Sequence, residues 1–196
     1  IMGVKEKEYV LLTLNRHTLI NNDAVLKTLF HTILEKTDKP IVAPLHNYVK
    51  NKLSALGIHS ERLHILPPQP YLAFGYMVNQ AQTIITDSGN VAEEATFLGI
   101  PCITLNTYAE HPETVSIGTN CLVGEDAGAL SAALDRLNKG EWQKGHLPER
   151  WDGRCCRKNC ANLTRREIIK RKGITITFNR PGAVLLVIPK QKRRIC

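Results

Sequence analysis

The sequence predicts an α/β fold in which a parallel, Rossmann-like sheet carries helices on both faces. The first 140 of the 196 residues alternate short β-branched runs with amphipathic stretches, and the loops between them are short. The apolar runs are nearly continuous, as expected for strands that are buried on both faces. Hydrophobic residues make up 43% of the chain and charged residues 22%, which suits a protein with a buried core.

Six short runs of β-branched and other apolar residues predict the strands. Each run is shorter than a typical helix and is bounded by loop residues. In chain order, the predicted strands are residues 9–14, 40–44, 63–66, 83–86, 101–105 and 121–123.

Amphipathic stretches between these runs predict five helices. Asn22 or Asp23 is the expected N-cap of the first helix, because a short polar side chain can accept a hydrogen bond from a free backbone N–H group. Gly57 and Gly99 close the second and fourth helices, since glycine readily adopts the left-handed conformation that ends a helix. The predicted helices are residues 23–36, 47–56, 71–82, 90–98 and 126–137.

The basic residues are concentrated at one end of the chain. Residues 154–196 hold 13 of the 26 Lys and Arg residues and one acidic residue, Glu167, whereas residues 1–153 hold 13 basic and 17 acidic residues. The net charge of +8 therefore does not come from the predicted α/β domain, which argues against nucleic acid as its partner. We expect residues 1–153 to form one domain and residues 154–196 to form a basic tail outside the fold.

The tail contains two isolated β-like runs, residues 174–178 and 183–188. One set of permitted codons for residues 155–162, read with a shift of one base, encodes an amphipathic helix. An out-of-frame, poorly ordered tail is therefore one hypothesis, and a genuine basic extension is the alternative.

The cysteines divide between the domain and the tail. Cys102 and Cys121 lie in apolar runs and are expected to be buried thiols. The tail cysteines lack the paired spacing of a zinc site, so we predict no metal site; they are Cys155, Cys156, Cys160 and Cys196. The sequence shows no apolar run of transmembrane length and no signal-like stretch, so we expect a cytoplasmic protein without a membrane partner.

The strongest local motif is residues 86–94, which follow a predicted strand and open a helix. Gly89 lets a ligand approach the backbone, and the free N–H groups at a helix start favour phosphate, to which the Ser88 hydroxyl can add a donor. Glu94 lies about one turn into the helix, where its carboxylate could accept both hydroxyls of a ribose. The alternative is a capped helix start, with Asp87 or Ser88 as the cap.

Two further polar segments follow predicted strands. Glu110, His111 and Glu113 share one loop and could position or protonate a substrate, although a solvated loop in which Pro112 starts a helix is the alternative. In the loop after the first strand, Arg16 or His17 could meet a phosphate, or the loop could be an exposed polar turn. His46, after the second strand, could cap the site or be an ordinary polar loop residue, and we favour the second interpretation. All of these segments fall on the carboxyl edge of the predicted sheet, where ligands of such folds bind.

Together these residues resemble the C-terminal half of the UDP-N-acetylglucosamine 2-epimerases. The likeness extends over roughly residues 9–153 and is carried by residues 86–94, 99–101, 110–113, 118–119, 122–124 and 150–153. The resemblance implies one half of a two-domain fold of the glycosyltransferase-B type. It also implies a reaction that interconverts UDP-N-acetylglucosamine and UDP-N-acetylmannosamine, or hydrolyses the former to N-acetylmannosamine and UDP. No cofactor is expected for either route.

The resemblance also implies roles for individual residues. Ser88 and Gly89 match positions that hold the diphosphate, Glu94 matches the acid that holds the ribose, and Glu110 and Glu113 match the two acids of a Thr-Glu-Arg-Pro-Glu motif. This chain departs from the family pattern at three expected UDP-binding positions: Asn15 replaces a His, Asn90 a Gly and His111 an Arg. Arg16 completes the expected UDP contacts.

Glu110, His111 and Glu113 can only support catalysis, because the family's proton-transferring acids lie in an N-terminal domain that this sequence lacks. The expected partners are therefore a UDP-sugar and that missing domain, and a homodimer is compatible with the sequence. Two alternatives remain: half of a glycosyltransferase-B-type transferase, and a non-enzymatic module that binds nucleic acid through its basic tail.

Overall fold

The computed structural model describes residues 5–149 and 151–152, together with two short strands near the C-terminus. The chain separates into two compact units, Ile1–Pro148 and Glu149–Cys196. The first unit contains the α/β sheet on which the predicted site lies.

A six-stranded parallel sheet forms the centre of the first unit. Its strands are arranged in the order β3-β2-β1-β4-β5-β6, with Leu11 of β1 opposite Ile84 of β4. The order reverses between β1 and β4, and in open α/β sheets this reversal opens a crevice at the carboxyl ends of the strands. The strands are β1 (Val10–Thr13), β2 (Ile41–Pro44), β3 (Leu63–Leu66), β4 (Thr83–Thr86), β5 (Cys102–Thr104) and β6 (Asn120–Leu122).

Seven helices connect and cover these strands in the described part of the chain. They are α1 (His17–Asn21), α2 (Asp23–Lys36), α3 (Asn47–Ala55), α4 (Tyr71–Gln80), α5 (Gly89–Leu98), α6 (Pro112–Ser116) and α7 (Ala127–Asn138). The side chain of Asn22 caps α2 by accepting a hydrogen bond from Val25 N, as the sequence predicted. Gly57 and Gly99, with φ of 70° and 68°, follow α3 and α5 in the left-handed conformation.

Two apolar cores lie on opposite faces of the sheet, because successive residues of a strand point to opposite sides. Leu12 belongs to the core under α1, α2, α3 and α7, whereas its neighbour Leu11 belongs to the core under α4 and α5. The central strands β1 and β4 are buried on both faces, which explains their nearly continuous apolar sequence, whereas the edge strand β3 is half-buried. The predicted α/β architecture with helices on both faces is therefore confirmed.

The structure corrects several predicted boundaries. The loop after β1 contains the short helix α1, in which Leu19 and Ile20 are each 1% exposed. Two adjacent apolar residues are too few to show a helical period, so the sequence pattern missed this helix. Helix α4 ends at Gln80 rather than residue 82, because Gln82 N instead donates to Tyr9 O beside the sheet. Cys102 is buried as predicted, but Cys121 is only half-buried.

In the second unit, β7 (Ile176–Phe178) and β8 (Val184–Leu186) form an antiparallel pair with Thr177 opposite Leu185. The two β-like runs of the tail are therefore strands that pair with each other, rather than isolated strands. The tail cysteines and the segment of the frameshift hypothesis lie outside the described residues. No helix in the described part of the chain is long and apolar enough to cross a membrane.

Candidate UDP-binding site

The candidate site lies at the carboxyl ends of β1 and β4, where the strand order reverses. Thr13 and Thr86, the last residues of the two strands, lie side by side, and their hydroxyl oxygens are 2.7 Å apart. Both are almost fully buried. The Thr86 hydroxyl also accepts a hydrogen bond of 3.0 Å from Ser88 N, which fixes the turn into α5.

Asp87 joins the loop after β1 to the loop after β4. Its Oδ2 accepts hydrogen bonds of 2.7 Å from the backbone N–H groups of both Asn15 and Arg16, and Arg16 Nε donates to Asp87 O at 3.0 Å. Asp87 is 1% exposed, and this burial raises the pKa of its carboxyl, although the backbone hydrogen bonds and the Arg16 charge oppose the shift. We call Thr13, Thr86 and Asp87 the floor of the site.

Helix α5 starts directly above this floor. Ser88 is its N-cap residue, but the Ser88 side chain makes no capping hydrogen bond, and the Asp87 carboxylate is directed to the β1 loop instead. Neither side chain therefore caps the helix, contrary to the simple capping interpretation of the sequence. The first N–H groups of α5 carry the partial positive charge of a helix start, which attracts anions.

Gly89, the first residue of α5, is in close contact with Glu110 from the loop after β5. A β-carbon at Gly89 would lie 2.8 Å from Cδ and 2.9 Å from Cβ of Glu110, closer than side-chain atoms normally approach. Any larger residue at position 89 would therefore displace Glu110. Asn90, the next residue of α5, is exposed.

Arg16 connects the β1 loop to the β5 loop. Its Nη2 lies 2.5 Å from Glu110 Oε1, and its Nη1 donates to the Tyr108 hydroxyl at 3.1 Å. The guanidinium carbon lies 5.0 Å from the centre of the Tyr108 ring, within the range of a cation–π contact. We call the side chains of Arg16, Tyr108 and Glu110 the rim of the site.

His111 and Glu113 belong to the start of α6. His111 Nδ1 lies 3.2 Å from Glu93 Oε1 of α5, and Glu113 is a half-buried residue of the first turn. A buried network of Thr104, Asn120 and Thr114 anchors this turn, because Thr114 Oγ1 donates to His111 O at 2.7 Å. His111 therefore contacts α5 through Glu93.

Glu94 is half-buried on α5. Its pKa is raised, chiefly by burial and further by the neighbouring Glu93, while a hydrogen bond with Tyr71 opposes the shift. Tyr71 begins α4 and is 73% exposed.

The structure thus brings Arg16, Ser88, Gly89 and Glu110 together, as their positions after neighbouring strands predicted. It does not bring His17 to this group: the His17 ring lies beside Tyr48, with ring centroids 5.9 Å apart. His46 is an exposed residue before α3. The sequence analysis did not identify Tyr71, which bonds to Glu94, or Tyr108, which contacts Arg16. Tyr108 lies two residues before Glu110, in the same loop.

In the described part of the chain, no three His, Cys, Asp or Glu side chains converge as a metal site would require. The site is instead built from a helix start, a guanidinium group and carboxylates, which are groups suited to a phosphate and a sugar hydroxyl.

Comparison with known proteins identifies the family. The family model described as UDP-N-acetylglucosamine 2-epimerase matches residues 1–163. The chain belongs to this family. A relative from Methanocaldococcus jannaschii named UDP-N-acetylglucosamine 2-epimerase is 37% identical over 145 residues, covering 69% of this chain and 40% of the relative. A relative of the same name from Escherichia coli K12 is 35% identical over 126 residues, covering 61% of this chain and 33% of the relative.

Solved structures of 2-epimerases share the fold. The enzyme from M. jannaschii aligns with a TM-score of 0.68 and 34% identity over 82% of this chain and 47% of that structure. The enzyme from Neisseria meningitidis, solved with bound UDP-N-acetylglucosamine, aligns with a TM-score of 0.68 and 26% identity over 84% of this chain and 46% of that structure. The chain therefore has the Rossmann-like fold of one half of these glycosyltransferase-B-like epimerases. It spans about 40% of the length of its relatives from M. jannaschii and Methanococcus maripaludis.

Proposed function

We propose that residues 1–153 form the UDP-binding domain of a UDP-N-acetylglucosamine 2-epimerase. The observation that carries this proposal is the start of α5 at the reversal point of the sheet, where Arg16 bonds to Asp87 O and to Glu110, the residue that lies against Gly89. The structure of the M. jannaschii relative in complex with UDP-N-acetylglucosamine and UDP supports the ligand class, because that chain is 34% identical to this one. Only a minor part of each relative is covered, so the ligand and the activity are inferences for this chain.

The diphosphate would bind at the start of α5. Gly89 offers a backbone N–H group there, and the Ser88 hydroxyl, which makes no capping hydrogen bond, can add a donor. Glycine also removes the side chain that would obstruct a phosphate. Arg16 supplies a permanent positive charge, held above the floor by its bond to Asp87 O. Asn15 and Asn90 flank these residues and can donate side-chain hydrogen bonds. His111, whose Nδ1 contacts Glu93, would add a positive charge only in its protonated form.

The ribose would bind beside Glu94. A carboxylate can accept hydrogen bonds from two neighbouring hydroxyl groups, and its half-buried position limits competition from water. The hydrogen bond from Tyr71 opposes the rise in the Glu94 pKa and so favours the carboxylate form. Diphosphate and ribose would therefore be held by the first two turns of one helix, which fixes the distance between them.

In the complete enzyme, the proposed reaction interconverts UDP-N-acetylglucosamine and UDP-N-acetylmannosamine, or releases N-acetylmannosamine and UDP. Departure of UDP and removal of the C2 proton need a positioned base, a positioned acid and a closed cleft. Glu110, His111 and Glu113 would line one side of that cleft and support the leaving group. The proton-transferring acids would come from the N-terminal domain, so we expect the present chain to bind UDP without turnover.

The further partners are proposals of the same kind. The complete protein would join this domain to the N-terminal domain, and a homodimer is compatible with the family. Cys102 and Cys121 are both unpaired thiols, which suits the reducing cytoplasm in which we propose that the protein acts.

Calorimetric titration of the full chain with UDP tests the proposed site. We expect binding in the micromolar to millimolar range and an affinity at least about tenfold lower in Glu94→Ala, because two charge-assisted hydrogen bonds are lost. Glu35→Ala is the matched control, since Glu35 is an exposed carboxylate on α2. A folded chain that ignores millimolar UDP, or a Glu94→Ala variant that binds as well as the control, would overturn the assignment.

A further inference from the structure

We propose that Glu110 is an internal anion that occupies the start of α5 and holds Arg16, and that the diphosphate of the ligand must displace it. The inference rests on the proposed function, because it concerns how UDP enters the same site. It changes the expected role of Glu110 from a supporting group to a competitor of the ligand.

The first support is steric. The carboxyl group of Glu110 lies directly against Gly89, where the proposed diphosphate approaches the backbone. A space that is too small for a β-carbon is too small for a phosphate. Both groups therefore cannot occupy this position at once.

The second support is electrostatic. Glu110 brings a negative charge to the positive end of α5 and pairs with Arg16, the permanent cation of the site. A diphosphate seeks the same two partners. With Glu110 in place, the diphosphate lacks the Arg16 guanidinium as a partner and lacks room beside Gly89. The negative charge of Glu110 also repels it.

The third support is that the two members of this ion pair are anchored unequally. Arg16 keeps its hydrogen bonds to Asp87 O and to the Tyr108 hydroxyl when Glu110 leaves. Among the described residues, Arg16 is the one side-chain hydrogen-bond partner of the Glu110 carboxylate, and Glu110 is an exposed loop residue. Glu110 can therefore turn into solvent while Arg16 stays above the floor and transfers its charge to the phosphate.

The test is the affinity for UDP and for uridine, measured by calorimetry and ligand-observed NMR on the full chain. Glu110→Gln keeps the size of the side chain but removes its charge, and we expect UDP to bind about three- to tenfold more tightly. Binding of uridine, which has no diphosphate, should not change. Glu110→Asp, which retracts the carboxylate from Gly89, should also bind UDP more tightly than the unaltered chain.

Glu125→Gln is the matched control, because Glu125 is an exposed carboxylate that follows β6, two strands away from β4. Equal or weaker UDP binding by folded Glu110→Gln would overturn the inference, and so would an equal gain in Glu125→Gln, which would reflect net charge alone. If neither the unaltered chain nor any variant binds UDP, the proposed function itself fails. Binding of UDP by the unaltered chain without a gain in either Glu110 variant removes only the inference.

Discussion

The floor and the rim of the candidate site are held together by different kinds of bond. In the floor, the bonding side chains are buried: the Thr13 and Thr86 hydroxyl groups bond to each other, and Asp87 accepts from the N–H groups of Asn15 and Arg16. In the rim, the ion pair joins side chains that reach solvent, because Arg16 and Glu110 remain 30% and 38% exposed. The floor therefore fixes the positions of the two loops, whereas the rim can exchange partners.

This difference follows from the surroundings of each group. A buried donor that loses its partner cannot turn to water, so each lost bond in the floor has a large cost. Exposed ion pairs contribute little to the free energy of unfolding, because water replaces the lost partner and salt screens the charges. The floor can therefore keep its geometry while the side chains of the rim rearrange on ligand binding.

The largest effect is expected from breaking the floor at Asp87. Asp87→Ala leaves two backbone N–H groups without an acceptor, so the free energy of unfolding should fall by about 2–4 kcal/mol. Urea denaturation followed by circular dichroism measures this change. A loss below about 0.5 kcal/mol, as for an ordinary surface substitution, would show that the floor is not the fixed part of the site.

Asp87→Asn separates the charge of Asp87 from its hydrogen bonds. Burial raises the pKa of Asp87 in the folded state, so the folded state binds a proton more readily than the unfolded state. The stability of the unaltered chain should therefore fall relative to Asp87→Asn as the pH rises from the unfolded-state pKa to the raised folded-state pKa. Above that range the difference should be constant. A difference that changes in the opposite direction would contradict the dominance of burial.

An intermediate effect is expected from the two buried threonines. Thr86→Val removes the acceptor of Ser88 N as well as the bond to Thr13, and we expect a loss of about 1–2 kcal/mol. Thr13→Val is the matched control, because it breaks only the bond between the two hydroxyl groups. Urea denaturation of both variants should place Thr86→Val below Thr13→Val. The reverse order would mean that the Ser88 bond does not stabilise the turn.

The smallest effect is expected in the rim. A double-mutant cycle with Arg16→Ala and Glu110→Ala should give a coupling free energy of about 0.2–1 kcal/mol, and added salt should reduce it. The cycle is measured from the unfolding free energies of the two single variants and the double variant. A coupling as large as the Asp87→Ala loss would mean that Glu110 is held as rigidly as the floor.

The fold could be predicted from the sequence because its signals are local. Apolar runs such as residues 83–86 mark the strands, and Gly99 marks the end of α5. The structure confirms these elements, and the family comparison confirms the resemblance. Helix α1 was missed because its burial comes from packing against distant elements and not from a repeated pattern.

For the site, the sequence predicted only the edge of the sheet at which it lies, and not the contacts within it. Positions after strands indicated that Arg16, Ser88 and Glu110 would lie on one side of the sheet. The role of Asp87 depends on β1 and β4 being neighbours, which the alternation of strands and helices does not specify. Likewise, the choice between Arg16 and His17 depends on the direction in which the loop after β1 turns.

The most direct test of the central claim is to map UDP binding onto the backbone by amide NMR of the isotope-labelled full chain. The account predicts that the largest shifts on addition of UDP fall on Asn15, Arg16, Ser88, Gly89 and Glu94, with Glu110 shifting as it leaves Gly89. No shifts at millimolar UDP, or shifts that cluster away from the carboxyl ends of β1 and β4, would contradict it.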